Sequence, residues 1–446
     1  MLKKITSLLT VGLVTGVSFA QTPHYIHCAS DHAISYQEEL TPGYRSIVNS
    51  AFDYAKERAI VNGQQKNSYT IPVVVHIVYN TPEQNLHDTV VFNQIANLNK
   101  DFNRQNDDAG NVRPVFNPVV GSADIHFQLA QYDPDGNPTN GITRTQTSTT
   151  SFGSFNFFLG DMSVTESVKS STDGGISPWN QDEYLNIWVC NMSISFMGQE
   201  TTALLGYATP PDGLSHWPAG STEGMKDGVV IQYQAFGSNN PNPLPDPSGN
   251  GGNMEVLGRT VTHEVGHYLG LRHIWGDGDC AEQDGVDDTP NAAAQSDFDC
   301  NTSKNTCVDN ITELGGDAPD MIENFMDYSA ESCQNSFTLG QIGIMRSVLE
   351  NFRPDLGDGN PLGITTQKSI DASVFPNPFK NEITVSIETG KADHIRLIST
   401  EGRVVFTSDI SEGSLSFQTE NIETGMYIVQ LTYQSDIVFT QKLIKH

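Results

Sequence analysis

Three histidines and a glutamate carry the clearest chemistry in this chain: residues 263–273 read HEVGHYLGLRH. His263 and His267 are four apart, so on a helix both imidazoles leave one face and can bind one metal ion. Glu264 follows the first of them and can reach a water on that metal. His273 cannot share the helix if Gly270 ends it, but a sharp turn at Gly270 would swing it back to complete the set. Three neutral imidazoles suit zinc and leave it one open position for water, the mark of a catalytic site rather than a closed structural one. In that chemistry zinc lowers the pKa of its water to about 7. Glu264 takes the proton, hydroxide attacks a scissile carbonyl, and Glu264 hands the proton to the leaving amine.

Downstream, residues 324–329 read NFMDYS. Met326 is soft and space-filling, suited to pack under the imidazoles without competing for the metal. Tyr328 can bring its hydroxyl near the metal and steady an oxyanion. The bland alternatives are two surface histidines on a charged helix, and Met326 and Tyr328 as ordinary core residues. A glycine and a third histidine at fixed offsets argue against the first of these.

Elements that could position these groups are legible on both sides. Residues 71–79 (IPVVVHIVY) read as a buried strand, and Val91, Ile95, Leu98 and Phe102 recur at helical spacing. Further strands are expected at Asp124–Ala130, Tyr184–Asn191 and Gly228–Tyr233. The metal-binding helix is expected from near Met254 through His267, with Asn253 as N-cap. The segment before Lys66 shows only a weak helical pattern with few strand signals, and Leu339–Leu349 looks helical. Short alternating runs after Arg353–Gly363 read as a small β-sandwich. The expected class is α+β followed by an all-β domain.

The 446 residues imply more than one folded unit. Lys3 and Lys4, an apolar run to Val17 and small residues up to Ala20 read as a secretory signal peptide. Export makes disulfides possible, and Cys280, Cys300, Cys307 and Cys333 cluster as two bridges of open connectivity. A net charge of −29 disfavours nucleic acid and anionic membranes as partners. Within residues 277–327, 14 acidic residues face a single basic one, Lys304, a composition suited to hard cations.

HEVGHYLGLRH followed by NFMDYS resembles the pappalysin-like (cytophagalysin) branch of the metzincin metalloproteases. The likeness extends to IPVVVHIVY, QIANLNKDFNR, YLNIWVC, LLGYATPP and DGVVIQYQAFG, and so covers about residues 67–356. The resemblance implies a twisted mixed sheet with two main helices above an irregular lower subdomain, and a monomer that cleaves proteins or peptides. It implies that a sheet edge pairs with the substrate backbone; Val229, Val230 and Ile231 match that strand best. It also implies bridges Cys280–Cys307 and Cys300–Cys333, and a calcium site on Asp284, Asp287, Asp288 and Thr289. Clustered carboxylates with little regular structure would otherwise repel one another, although a merely solvated acidic loop is the alternative. Some relatives cut before Arg or Lys through an acid directly ahead of the last cysteine. Here Ser332 stands there and Glu331 one position earlier, which leaves that preference open.

Cys28 lies in the segment at residues 21–66 that reads as a propeptide, where a thiolate can take zinc's open position and keep the precursor latent. A Cys28–Cys190 bridge or two free thiols are the alternatives. After a linker at 357–365, residues 366–446 resemble the sorting domain of the type IX secretion pathway, through VFPNP, GMY and the basic ending KLIKH. That implies a Gram-negative outer-membrane secretion machinery as partner, and a released or surface-attached product. The rival classes are a non-catalytic surface adhesin that keeps the fold, which would be expected to lack Glu264 or a ligand, and a zinc hydrolase of non-peptide bonds.

Overall fold

The computed structural model describes residues 24–61, 68–196, 199–209, 226–246, 252–357, 371–389, 392–399, 403–410, 414–433 and 436–446. The leader, the junction at 62–67 and most of the linker lie outside them. The order begins β1 (His24–Cys28), α1 (Ser30–Leu40), α2 (Tyr44–Val61), β2 (Tyr69–Tyr79), α3 (Asp88–Phe102), β3 (Ile125–Leu129), β4 (Ile142–Gln146) and the short α4 (Ser163–Glu166). There follow β5 (Leu185–Cys190), β6 (Ser193–Phe196), β7 (Gln199–Thr209), β8 (Gly228–Gln232), α5 (Arg259–Tyr268) and α6 (Leu339–Asn351).

One mixed sheet runs β1-β7-β8-β5-β2-β3, with β4 also on β2 and β6 also on β7. The strands β2, β3, β4, β5 and β8 pair in parallel, and β7 runs against β8. Parallel strands covered on both faces need continuous apolar runs rather than alternation, which is what β2, β5 and β8 supply. On one face, Val91, Ile95 and Leu98 of α3 and Val261 and Val265 of α5 pack with Val73, Val75, Ile187 and Val229. The other face holds Trp188, Cys190, Val230 and Tyr207 together with Ala29, Ala33 and Tyr44 of the first segment.

Three expectations need correction. The first segment is not merely weakly helical: β1 adds to β7 in parallel, Cys28 opposite Gly206, before α1 and α2. Five residues give too short a pattern to register in sequence, and it is the waiting edge of β7 that makes them a strand. Secondly, Val229, Val230 and Ile231 do not form a sheet edge. They are hydrogen-bonded to β5 on one side and β7 on the other, so no row of their backbone groups is free for a substrate. The edge belongs to β7, and β1 occupies it. Thirdly, the helix that carries His263 and His267 begins at Arg259, five residues later than expected. Gly258, at φ +83°, turns the chain, and its carbonyl accepts from Gln94 Nε2 at 2.9 Å. Met254 and Val256 instead lie outside the helix and pack against an apolar cluster.

From Leu271 to Thr338 regular structure is sparse, and bridges Cys280–Cys307 and Cys300–Cys333 tie the region. Helix α6 opens with a reciprocal cap, Thr338 Oγ1 accepting from Gln341 N and Gln341 Oε1 from Thr338 N. Just past its end, Arg353 is buried with Asp227 in a two-armed ion pair and lies 3.7 Å over the ring of Tyr268.

The C-terminal part holds β9 (Asp371–Phe375), β10 (Glu382–Thr389), β11 (His394–Ser399), β12 (Val404–Asp409), β13 (Ser414–Gln418), β14 (Gly425–Tyr433) and β15 (Asp436–Lys445). They form a three-stranded sheet, β13-β10-β9, and a four-stranded one, β12-β11-β14-β15. Ile383 and Val385 meet Ile395, Leu397, Val429 and Leu431 in a common core, the packing of a sandwich.

Candidate metal centre

Helix α5 presents His263 and His267 on one face, and Gly270, at φ +93°, reverses the chain after it. A Cβ at Gly270 would sit 2.9 Å from Val348 Cγ2, so both the turn and the close approach of α6 require glycine. The reversal carries His273 back, its Nε2 lying 3.0 Å from that of His267, which is 3.1 Å from that of His263.

Each ring is held by its other nitrogen. His263 Nδ1 meets Phe325 O at 2.7 Å, His267 Nδ1 meets Leu271 O at 2.8 Å and His273 Nδ1 meets Asp277 Oδ1 at 2.5 Å. Carbonyl and carboxylate oxygens only accept, so each Nδ1 bears the proton and each Nε2 presents a lone pair. Three lone pairs converging at that spacing repel unless a cation lies among them. Burial holds His263 well below its usual range and pushes His267 down to about 3, so protonation of these two rings does not relieve the crowding. The donor set therefore fits a divalent metal of zinc's preference.

A fourth donor comes from the first segment. Cys28 Sγ and the three imidazole nitrogens all lie within 4.8 Å of one another. Cys28 and Cys190 are both free, the latter in the core under the sheet. Glu264 is fully buried, and burial raises its carboxyl to about 8. Its Oε2 accepts from Cys28 Sγ at 3.3 Å and from Ser30 Oγ at 3.1 Å. Ser30 Oγ in turn accepts Ala208 N of β7 at 2.9 Å.

Met326 packs closely on α5: a Cβ on Gly266 would come within 2.5 Å of its sulfur. Tyr328 places its hydroxyl 3.1 Å from His273 Nε2 and donates to Cys28 O at 3.4 Å. Tyr328 thus stands beside the histidines, and Met326 beside the helix that carries two of them.

The acidic loop is assembled differently from the expectation. Asp284, Asp288 and Thr289 are buried, and Asp284 Oδ2, Asp288 Oδ1 and Thr289 Oγ1 have no hydrogen-bond partner. Burial drives Asp284 up to about 8. The side chain of Asp287 does not join them: it is 77% exposed and bridges Lys56 of α2 at 2.7 Å. Glu331 is committed elsewhere. Its carboxylate accepts from Thr260 N and Oγ1 and from Leu257 N, capping the start of α5.

Sequence reasoning missed Asp277 and Ser30, and it weighed Glu331 only for substrate preference, not as the cap of α5. An acid four residues after His273 was a usable signal for the first. Nothing marked Ser30, whose role depends on β1 lying on β7.

Residues 251–350 match the family model described as pregnancy-associated plasma protein-A, and residues 373–446 the secretion system C-terminal sorting domain. An extracellular metalloprotease of Arthroderma benhamiae is 37% identical over 177 residues, 38% of this chain and 51% of its own length. One from Verticillium alfalfae is 36% identical over 167 residues, 35% and 52% respectively. The chain thus spans about half the length of these curated relatives. Among solved structures, mirolysin in complex with compound 9 is 39% identical, covering 67% of this chain and 99% of that one at a TM-score of 0.53. A Tannerella forsythia promirolysin mutant is 34% identical over 75% and 98% at 0.57. The chain belongs to the pappalysin-like branch of the metzincin metalloproteases and ends in a type IX sorting domain.

Proposed function

We propose that this chain is a secreted zinc-dependent endopeptidase made as a latent precursor. The observation that carries the reading is the meeting of three imidazole lone pairs and the Cys28 sulfur beside the buried carboxyl of Glu264. His263, His267 and His273 would hold zinc, with Cys28 as fourth donor in the precursor. Zinc held there supplies Lewis acidity toward a water molecule and a peptide carbonyl. Glu264, freed of the first segment, takes the proton from the attacking water and delivers it to the leaving amine. The Tyr328 hydroxyl donates to the oxygen that gains charge in the tetrahedral intermediate. Met326 supports the imidazoles from below.

Latency follows from occupancy, because β1 fills the edge of β7 while Cys28 and Ser30 engage the metal position and Glu264. Replacing Cys28 by Ala in the full precursor should raise its peptidase activity on the order of tenfold or more, since the variant loses its hold on the closed state. Equal activity of variant and intact precursor, measured before any processing, would sink the latency reading.

The substrates are proteins or peptides, and the sorting domain addresses the outer-membrane secretion machinery of a Gram-negative cell. Calcium is proposed on Asp284, Asp288 and Thr289, whose orphaned buried oxygens suit a hard cation. A chelator that removes calcium but leaves zinc bound should lower the melting temperature by several degrees, a binding contribution of about 3 kcal/mol at saturating calcium. An unchanged melting curve would discard that site.

A further inference from the structure

Strand β1 lodges Tyr25 in a place that nothing in the proposed reaction uses. Tyr25 pairs with Ala203 of β7 and sinks into an apolar pocket lined by Ala203, Leu205, Leu244, Met254, Val256 and Phe298. Its ring stands edge-on to Phe298, centroids 6.5 Å apart, and its hydroxyl donates to Pro245 O at 2.8 Å. His27 follows at the next position on the same side, stacked on Tyr328 at 4.5 Å. Only then does Cys28 reach the metal position.

We infer that this pocket is a substrate subsite selecting an aromatic side chain, tyrosine best, about three residues from the residue at the metal. The inference rests on the protease reading and adds a specificity to it. A peptide that replaces β1 on the edge of β7 inherits its period of two, so its side chains fall where Tyr25 and His27 now lie. Three strand residues span about 10 Å, which fixes the distance of the pocket from the bond that is cut. Apolar walls reward a large ring, and the carbonyl at the end, Pro245 O, rewards a phenol over a phenyl group. Met254 and Val256 line the pocket because the helix begins only at Arg259 and leaves them outside it.

Two measurements test this. In the first, a synthetic peptide of residues 24–32 is titrated against enzyme processed from the full-length precursor, followed by fluorescence anisotropy. Tyr25→Ala in the peptide should weaken binding at least about tenfold and Tyr25→Phe about threefold, the losses expected for a buried ring and one hydrogen bond. Equal affinity of the alanine peptide would overturn the subsite, and no enzyme variant is needed for this arm. In the second, a peptide library is profiled with the same enzyme. Enrichment of Tyr over Ala at one position about three residues from the cut, reduced in Met254→Ser and Val256→Asp enzymes, supports the proposal. Cleavage with no preference at any such position overturns it while leaving the protease reading intact. Tight, Tyr25-dependent peptide binding with no cleavage of any library member supports the pocket and overturns the protease reading instead.

Discussion

Glu264→Ala enzyme, freed of its pro-segment, should retain its zinc and cleave peptides on the order of 10³-fold more slowly than the parent. The loss is that of one positioned general acid–base. Glu264 is no ligand of the triad: its carboxylate faces Cys28 and Ser30, while the three imidazoles face one another. Metal content by elemental analysis should therefore match the parent's. Undiminished cleavage would overturn the mechanism, and loss of zinc would mean that Glu264 supports the site rather than the reaction.

The second large effect concerns stability. Arg353→Leu strands Asp227 in a dry interior, where both partners of the pair are now about 1% exposed. Removing one member of a buried pair costs about 3–5 kcal/mol because the other charge is left uncompensated. A fall in melting temperature on the order of 10 °C follows for a unit of this size. The double variant Arg353→Leu/Asp227→Leu should regain part of that loss, since neither charge then remains to be solvated. A single variant that melts with the parent would show that the pair contributes nothing. The pair is worth testing because it joins the chain just past α6 to the residue preceding β8 and to Tyr268 at the end of α5.

Legibility from sequence followed the range of the interactions involved. The triad and Glu264 could be read because helical spacing and one glycine are local facts. The buried strands β2 and β5 could be read because their apolar runs need no partner to be recognised. The start of α5 could not: Met254 and Val256 look helical in sequence, but Gly258 and the reach of Glu331 across 71 residues fix the true beginning. Which strand forms the edge could not be read either, since only pairing distinguishes β7 from β8. Asp287 shows the same limit at a smaller scale. It shares an acidic loop with Asp284 and Asp288, but Lys56 on a distant helix turns it outward.

The parallel seating of β1 on β7 has a consequence for the chain's life before and after processing. While β1 is in place, the hydrogen-bonding row of β7 is satisfied by the molecule's own chain. A bare, apolar edge is a template for joining other molecules of the same kind. On the proposed function, the first segment also shields that strip from neighbouring copies, and its removal would open the same strip of backbone to substrate and to neighbouring copies alike.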